Sequence, residues 1–176
     1  MKKHNGMRPQ DIVILLKMTT NRNIVWQNIM LSQSLKISAS EISEALERCR
    51  IAKLVDSSKK RVNTLALQEF LIHGIKYIYP IQPGNIVRGI PTAFSASPIK
   101  EQIAQGSEKY IWPYIKGTER GQAIEPLYKT VPEIANNDTA LYELLVIVDT
   151  LRIGKIREIE IATKELQARF ATYDKK

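Results

Sequence analysis

Apolar residues recur at helical spacing along the first fifty positions, interrupted by two polar breaks. Ile12, Leu15 and Leu16 stand at i, i+3 and i+4. They follow Met7-Arg8-Pro9-Gln10-Asp11, where Pro9 suits a first helical turn and Asp11 faces the positive end of the helix dipole. The run 19–23 is a polar break, after which a second segment over about 27–35 presents Ile29, Met30 and Leu35 to a core. Ser38 followed by Glu41 is a capping box, in which hydroxyl and carboxylate each satisfy a backbone N–H at a helix start. Ile42, Ala45, Leu46 and Cys49 then form one apolar face, with Ser40, Ser43, Glu44, Glu47 and Arg48 opposite.

Two short helices with a brief turn between them, the second capped and amphipathic, predict a helix-turn-helix. In such an arrangement the second helix enters the major groove of DNA. Lys36, Ser38, Ser40, Ser43, Glu44, Glu47 and Arg48 are the candidate DNA contacts on and before it. Two carboxylates on that face repel phosphates, although a carboxylate also accepts from cytosine N4. Residues 54–56 and 61–63 predict two short strands around a polar turn. Lys59, Lys60 and Arg61 near its tip are placed to lie along a phosphate backbone.

Further on, Leu67, Phe70, Leu71, Gly74, Ile75 and Ile78 predict a helix from 63 to 79, ended by Pro80. Between 80 and 132 seven prolines and five glycines erase any clear period, yet Phe94, Tyr110, Trp112, Tyr114 and Tyr128 argue for order. This stretch is expected to be an ordered irregular segment wrapped over the helices. Asp138 predicts the cap of a helix reaching 153, with Gly154 as a junction to a last helix over 155–170 that turns Ile156, Ile159, Leu166 and Phe170 inward. The expected fold is therefore mainly α: a winged helix-turn-helix (1–79), an irregular segment (80–132) and a C-terminal helical hairpin (133–176) for interaction or dimerisation.

Charge sharpens the functional expectation. The chain of 176 residues carries a net charge of +8, and residues 1–62 hold 12 Lys/Arg against 5 Asp/Glu, a net of +7. The excess lies where a polyanion is expected to bind. The single Cys49 excludes an internal disulfide framework, and no long apolar run indicates secretion or membrane spanning, so a soluble cytoplasmic protein without a membrane partner is expected.

Little in the sequence suggests catalysis. His4 and His73 have no motif around them, and Cys49 falls on the apolar side of its helix. No metal-ligand spacing or cofactor motif occurs, and Gly84 and Gly89 are not followed by the Lys-Ser/Thr of a phosphate-binding loop. The expectation is a non-enzyme without cofactor. Arg88 and Arg120 either pair with carboxylates, phosphates or a partner protein, or hold irregular chain by bonding carbonyls. Asp149, Arg152, Arg157 and Glu158, near the helix junction, form either a partner-docking patch or an internal salt-bridge cluster.

The run Ile37-Ser38-Ala39-Ser40-Glu41-Ile42-Ser43-Glu44-Ala45-Leu46-Glu47-Arg48, closing with Ala52-Lys53-Leu54-Val55, resembles bacterial winged helix-turn-helix regulators of the MarR type. Lys53 stands where that pattern prefers Gly. The resemblance implies a groove-reading helix and a wing, and such regulators bind double-stranded DNA as homodimers on two-fold sites. The C-terminal run from Leu141 to Glu158, with Arg120-Gly121-Gln122-Ala123 and 126–132, resembles a group of bacterial proteins with a MarR-like head and a Pro-rich middle. That second resemblance implies an alternative: an antitoxin or adaptor that holds a partner protein, of the nucleotidyltransferase-toxin type, through residues 80–158.

Overall fold

In the computed structural model, which describes residues 6–104, 106 and 108–174, helix α1 (Pro9–Thr20) runs through the middle of the molecule. Residues 11–16, Met18 and Thr19 are all buried, so the helix is enclosed on every side where the sequence predicted a single stripe. Its neighbours are α2 (Asn28–Leu35), α3 (Ala39–Ile51), α7 (Thr139–Ile153) and α8 (Ile156–Asp174). The Asp11 side chain accepts from the Arg8 backbone N–H at 2.9 Å, satisfying one orphan donor of the first turn.

In α2 it is Leu31 and Leu35 that reach the core; Ile29 and Met30, expected inside, are exposed. Both α2 and α3 end on lysines in the left-handed region, Lys36 at φ 55° and Lys53 at φ 63°. At the second stop Leu54 N–H bonds Cys49 C=O at 2.9 Å and Lys53 N–H bonds Arg50 C=O at 3.1 Å, the two bonds of a Schellman stop. Lys53 thus occupies the position that glycine fills most easily. The capping box expected at Ser38 is one-sided. Ser38 Oγ accepts from Glu41 N–H at 3.3 Å, but the Glu41 carboxylate turns to Arg48 and Gln10 instead of back to the Ser38 backbone.

After α3 the chain makes a short hairpin, bridged at Val55 and Val62. The helix predicted over 63–79 is divided at Gly74 into α4 (Thr64–His73), capped by Asn63, and α5 (Ile75–Ile78). Leu67, Leu71 and Ile75 are buried, whereas Ile78 faces solvent.

The segment expected to be irregular carries a small sheet. Strand β1 (Ile86–Thr92) pairs antiparallel with both β2 (Tyr110–Pro113) and β3 (Glu119–Ala123), and β2 and β3 pair in parallel, so three strands close on one another. Alternation is invisible in the sequence because backbones touch where side chains would stand. A Cβ on Gly89 would lie 1.8 Å from Trp112 O, and one on Gly117 would lie 2.2 Å from Gly89 C.

A short α6 (Val131–Ala135) leads to α7, capped by Asp138 through the Leu141 N–H at 3.0 Å. Helix α7 is buried continuously from 144 to 151, and α8 packs on it through Ala162, Leu166 and Phe170. Ile156, expected inside, is 80% exposed. One hydrophobic core joins α1 to α7 and runs across positions 79/80 and 132/133. The protein is mainly α with a small sheet, and no helix among the described residues is long and apolar enough to cross a membrane.

Candidate nucleic-acid interface

Helix α3 buries Ile42, Ala45, Leu46 and Cys49 and leaves Ser40, Ser43 and Glu44 exposed, with Glu47 and Arg50 half-exposed. These positions form one stripe from the first turn of the helix to the last. Arg48, placed on the same face by the sequence, does not belong to it. Its guanidinium is buried, with Nε 2.9 Å from Asp11 Oδ2, Nη2 2.7 Å from Asp11 Oδ1 and Nη2 2.5 Å from Glu41 Oε1. The physical reason is helical geometry: Glu41 and Arg48 lie seven residues apart on the edge beside Ala45, against α1. The hydrogen bonds it donates to Asp11 hold Arg48 more firmly protonated than usual. Burial works to raise the Glu41 pKa, but the hydrogen bonds from Arg48 and Gln10 outweigh it and lower the pKa.

The hairpin is built on Asp56. Its Oδ1 accepts from the Lys60 and Arg61 N–H groups at 2.9 and 3.1 Å, its Oδ2 accepts from Ser58 Oγ at 2.7 Å, and Lys59 takes φ 61°. Two of the three cations expected at the tip fold back to partners on the protein's own surface. Lys59 Nζ lies 2.8 Å from Glu47 Oε2, and Lys60 Nζ donates to Trp26 O at 3.1 Å. Glu47 also receives Arg50 Nη2 at 2.6 Å. The Arg50 and Lys59 hydrogen bonds draw its pKa from 4.5 down to about 2. One carboxylate sits between two cations, so this trio carries net positive charge.

Arg61, by contrast, opens onto a cleft of about 490 Å³ between the hairpin and the end of α3. Arg22, Arg50, Lys53 and Arg61 line it against the single carboxylate of Asp56. Arg22 and Arg61 also line a smaller adjoining cleft, of about 200 Å³, beside Trp26. Among the described residues Lys53 and Arg61 have no ion pair. The sequence pattern does not single out Arg22, Arg50 or Lys53 as contacts. Arg50 is within reach of it, three residues past Glu47 on the exposed stripe; Arg22 arrives only through folding. Lys36 is pulled to the opposite end of α3, where its ammonium is 2.5 Å from Glu133 of α6.

Of the residues considered for partner docking, Asp149 and Arg152 are internal. Asp149 is 1% exposed and accepts from Thr92 Oγ1 at 2.8 Å, Trp112 Nε1 at 2.6 Å and Arg152 Nη1 at 2.7 Å. Arg152 Nε reaches Tyr79 O at 2.9 Å, so the pair ties the sheet, α5 and α7 together. The docking assignment of these two is corrected to an internal cluster. Arg157 is exposed on α8, and Arg88 and Arg120 are exposed on the sheet.

His4 lies outside the described residues, and His73 is exposed at the end of α4. Burial pushes the Cys49 thiol far above its ordinary pKa. Among the described residues no group of His, Cys, Asp and Glu is placed to hold a metal ion. Comparison with known proteins adds no relative: no family model matches the chain, and no curated protein or solved structure matches it.

Proposed function

We propose that α1–α3 and the hairpin act as a winged helix-turn-helix that binds duplex DNA, and that the protein regulates transcription as a homodimer on a two-fold site. The observation that carries this reading is continuity. The exposed stripe of α3 runs into a cleft lined by Arg22, Arg50, Lys53, Arg61 and Asp56, in which Lys53 and Arg61 are without an ion pair among the described residues and Arg50 is shared with Glu47. Ser40 and Ser43, near the N-terminus of α3, are the side chains offered to base edges in the major groove. Lys53 and Arg61 neutralise phosphates, and the Glu47 trio lies between the two groups.

The test is duplex affinity at two salt concentrations. Lys53→Ala with Arg61→Ala should weaken binding to all sequences and flatten the log–log salt dependence by about 2, one for each phosphate left without its cation. Ser40→Ala with Ser43→Ala should alter which sequence is preferred and leave the salt slope alone. An unchanged affinity in the first pair would remove the basis of the proposal.

A further inference from the structure

We infer that the exposed end of the β-sheet around Arg88 and Arg120 binds an acidic segment of a partner protein. Arg88 in β1 stands directly opposite Arg120 in β3. The Arg88 carbonyl accepts from Tyr114 N–H at 3.1 Å, so its backbone polar groups point toward β2. On the β3 side the Arg88–Arg120 pair is consequently of the non-hydrogen-bonded kind, in which Cα atoms approach to about 4.5 Å and side chains leave the same face together.

Both arginines are exposed, and among the described residues neither has a side-chain hydrogen bond or ion pair. The nearest acidic residue on β3, Glu119, is committed to Lys109 at 2.6 Å. Like charges directly opposite one another destabilise a sheet. Two forks of donors held side by side match carboxylates, which arginine takes in two-pronged fashion.

The surroundings favour protein over nucleic acid. Ile86, two residues along the same face and opposite Gln122, is 66% exposed. Arginine beside an exposed apolar side chain is the composition of a protein-binding patch, whereas a phosphate track has no use for the isoleucine. The occupant is thus a peptide segment that carries both carboxylates and apolar side chains.

The experiment uses the full chain with two labelled peptides, one alternating glutamate and leucine and the other glutamine and leucine, and a DNA duplex as a third arm. The glutamate peptide should bind, with the glutamine peptide weaker by about tenfold or more, and Arg88→Gln and Arg120→Gln should each weaken it by about tenfold. Arg120→Glu, placing opposite charges across the strands, should raise Tm while abolishing peptide binding. Equal affinity for the two peptides, no effect of the arginine substitutions, or a lowered Tm in Arg120→Glu would overturn the inference. So would loss of duplex affinity in the Gln variants without peptide binding, which would make the face a phosphate surface. This site is independent of the DNA reading: Lys53→Ala with Arg61→Ala should leave the peptide affinity unchanged.

Discussion

Arg48 of α3 grips Asp11 of α1 with two hydrogen bonds, 2.9 and 2.7 Å long, on a carboxylate that has no solvent exposure. The pair sets the angle at which α3 leaves the molecular centre, and hence where its outer stripe points. Asp11 uses its remaining capacity on the Arg8 backbone N–H, while Arg48 also holds Glu41. The junction is satisfied from within the protein.

Removing one partner leaves the other buried and uncompensated. Arg48→Ala should destabilise the fold by about 3–5 kcal/mol. Asp11→Ala with Arg48→Met should recover most of that loss, because both charges go and an apolar side chain fills the space. Urea unfolding of the three proteins checks this; a loss under about 1 kcal/mol for Arg48→Ala would mean that the guanidinium is not held as described.

Glu47 supplies a pH prediction. Its folded-state pKa is depressed from 4.5 to about 2 by Arg50 and Lys59. A depressed carboxyl contributes stability above its unfolded pKa, so this contribution is complete above about pH 4.5 and declines as pH falls toward 2. Carboxyl carbon NMR should place its midpoint near 2, and Lys59→Ala or Arg50→Ala should raise it. A midpoint that does not move in either variant would dissolve the trio.

Asp149 is the equivalent junction for the other half of the molecule. Asp149→Ala leaves the Thr92 hydroxyl and the Trp112 indole N–H without their acceptor and takes from the Arg152 guanidinium its carboxylate, leaving it only backbone carbonyls. The expected loss is about 3–5 kcal/mol, with a smaller loss for Asp149→Asn, which keeps one acceptor. An indole NMR signal for Trp112 that stays in place in the Ala variant would count against the cluster.

Under the proposed DNA reading, Lys53 sets stability against duplex affinity. At φ 63° it holds a conformation that costs a side-chain-bearing residue about 1–2 kcal/mol. Lys53→Gly should therefore raise the unfolding midpoint and at the same time weaken duplex binding by removing a cation from the cleft. Calorimetry and DNA titration on one preparation separate the two effects, and a destabilised glycine variant would show that packing of the lysine stem outweighs the strain in its backbone.

Local rules made much of the helical framework legible. Pro9, Ser38, Asn63 and Asp138 mark helix starts because each satisfies or tolerates an orphan backbone donor using only neighbouring atoms. The apolar face of α3 follows from a period that a single helix defines by itself. The sheet escaped because Gly89 and Gly117 are required by strands that meet only after folding.

The sequence alone determined the helix starts, the apolar face of α3 and the concentration of positive charge in residues 1–62, all of which depend on neighbours in the chain. Only the tertiary structure decided which charges stay outside. Arg48 is 37 residues from Asp11, and Asp149 is 57 from Thr92, so no local pattern distinguishes these buried side chains from solvated ones. The same holds in reverse for Arg88 and Arg120: strand register alone sets them face to face, and among the described residues no carboxylate folds over to meet them.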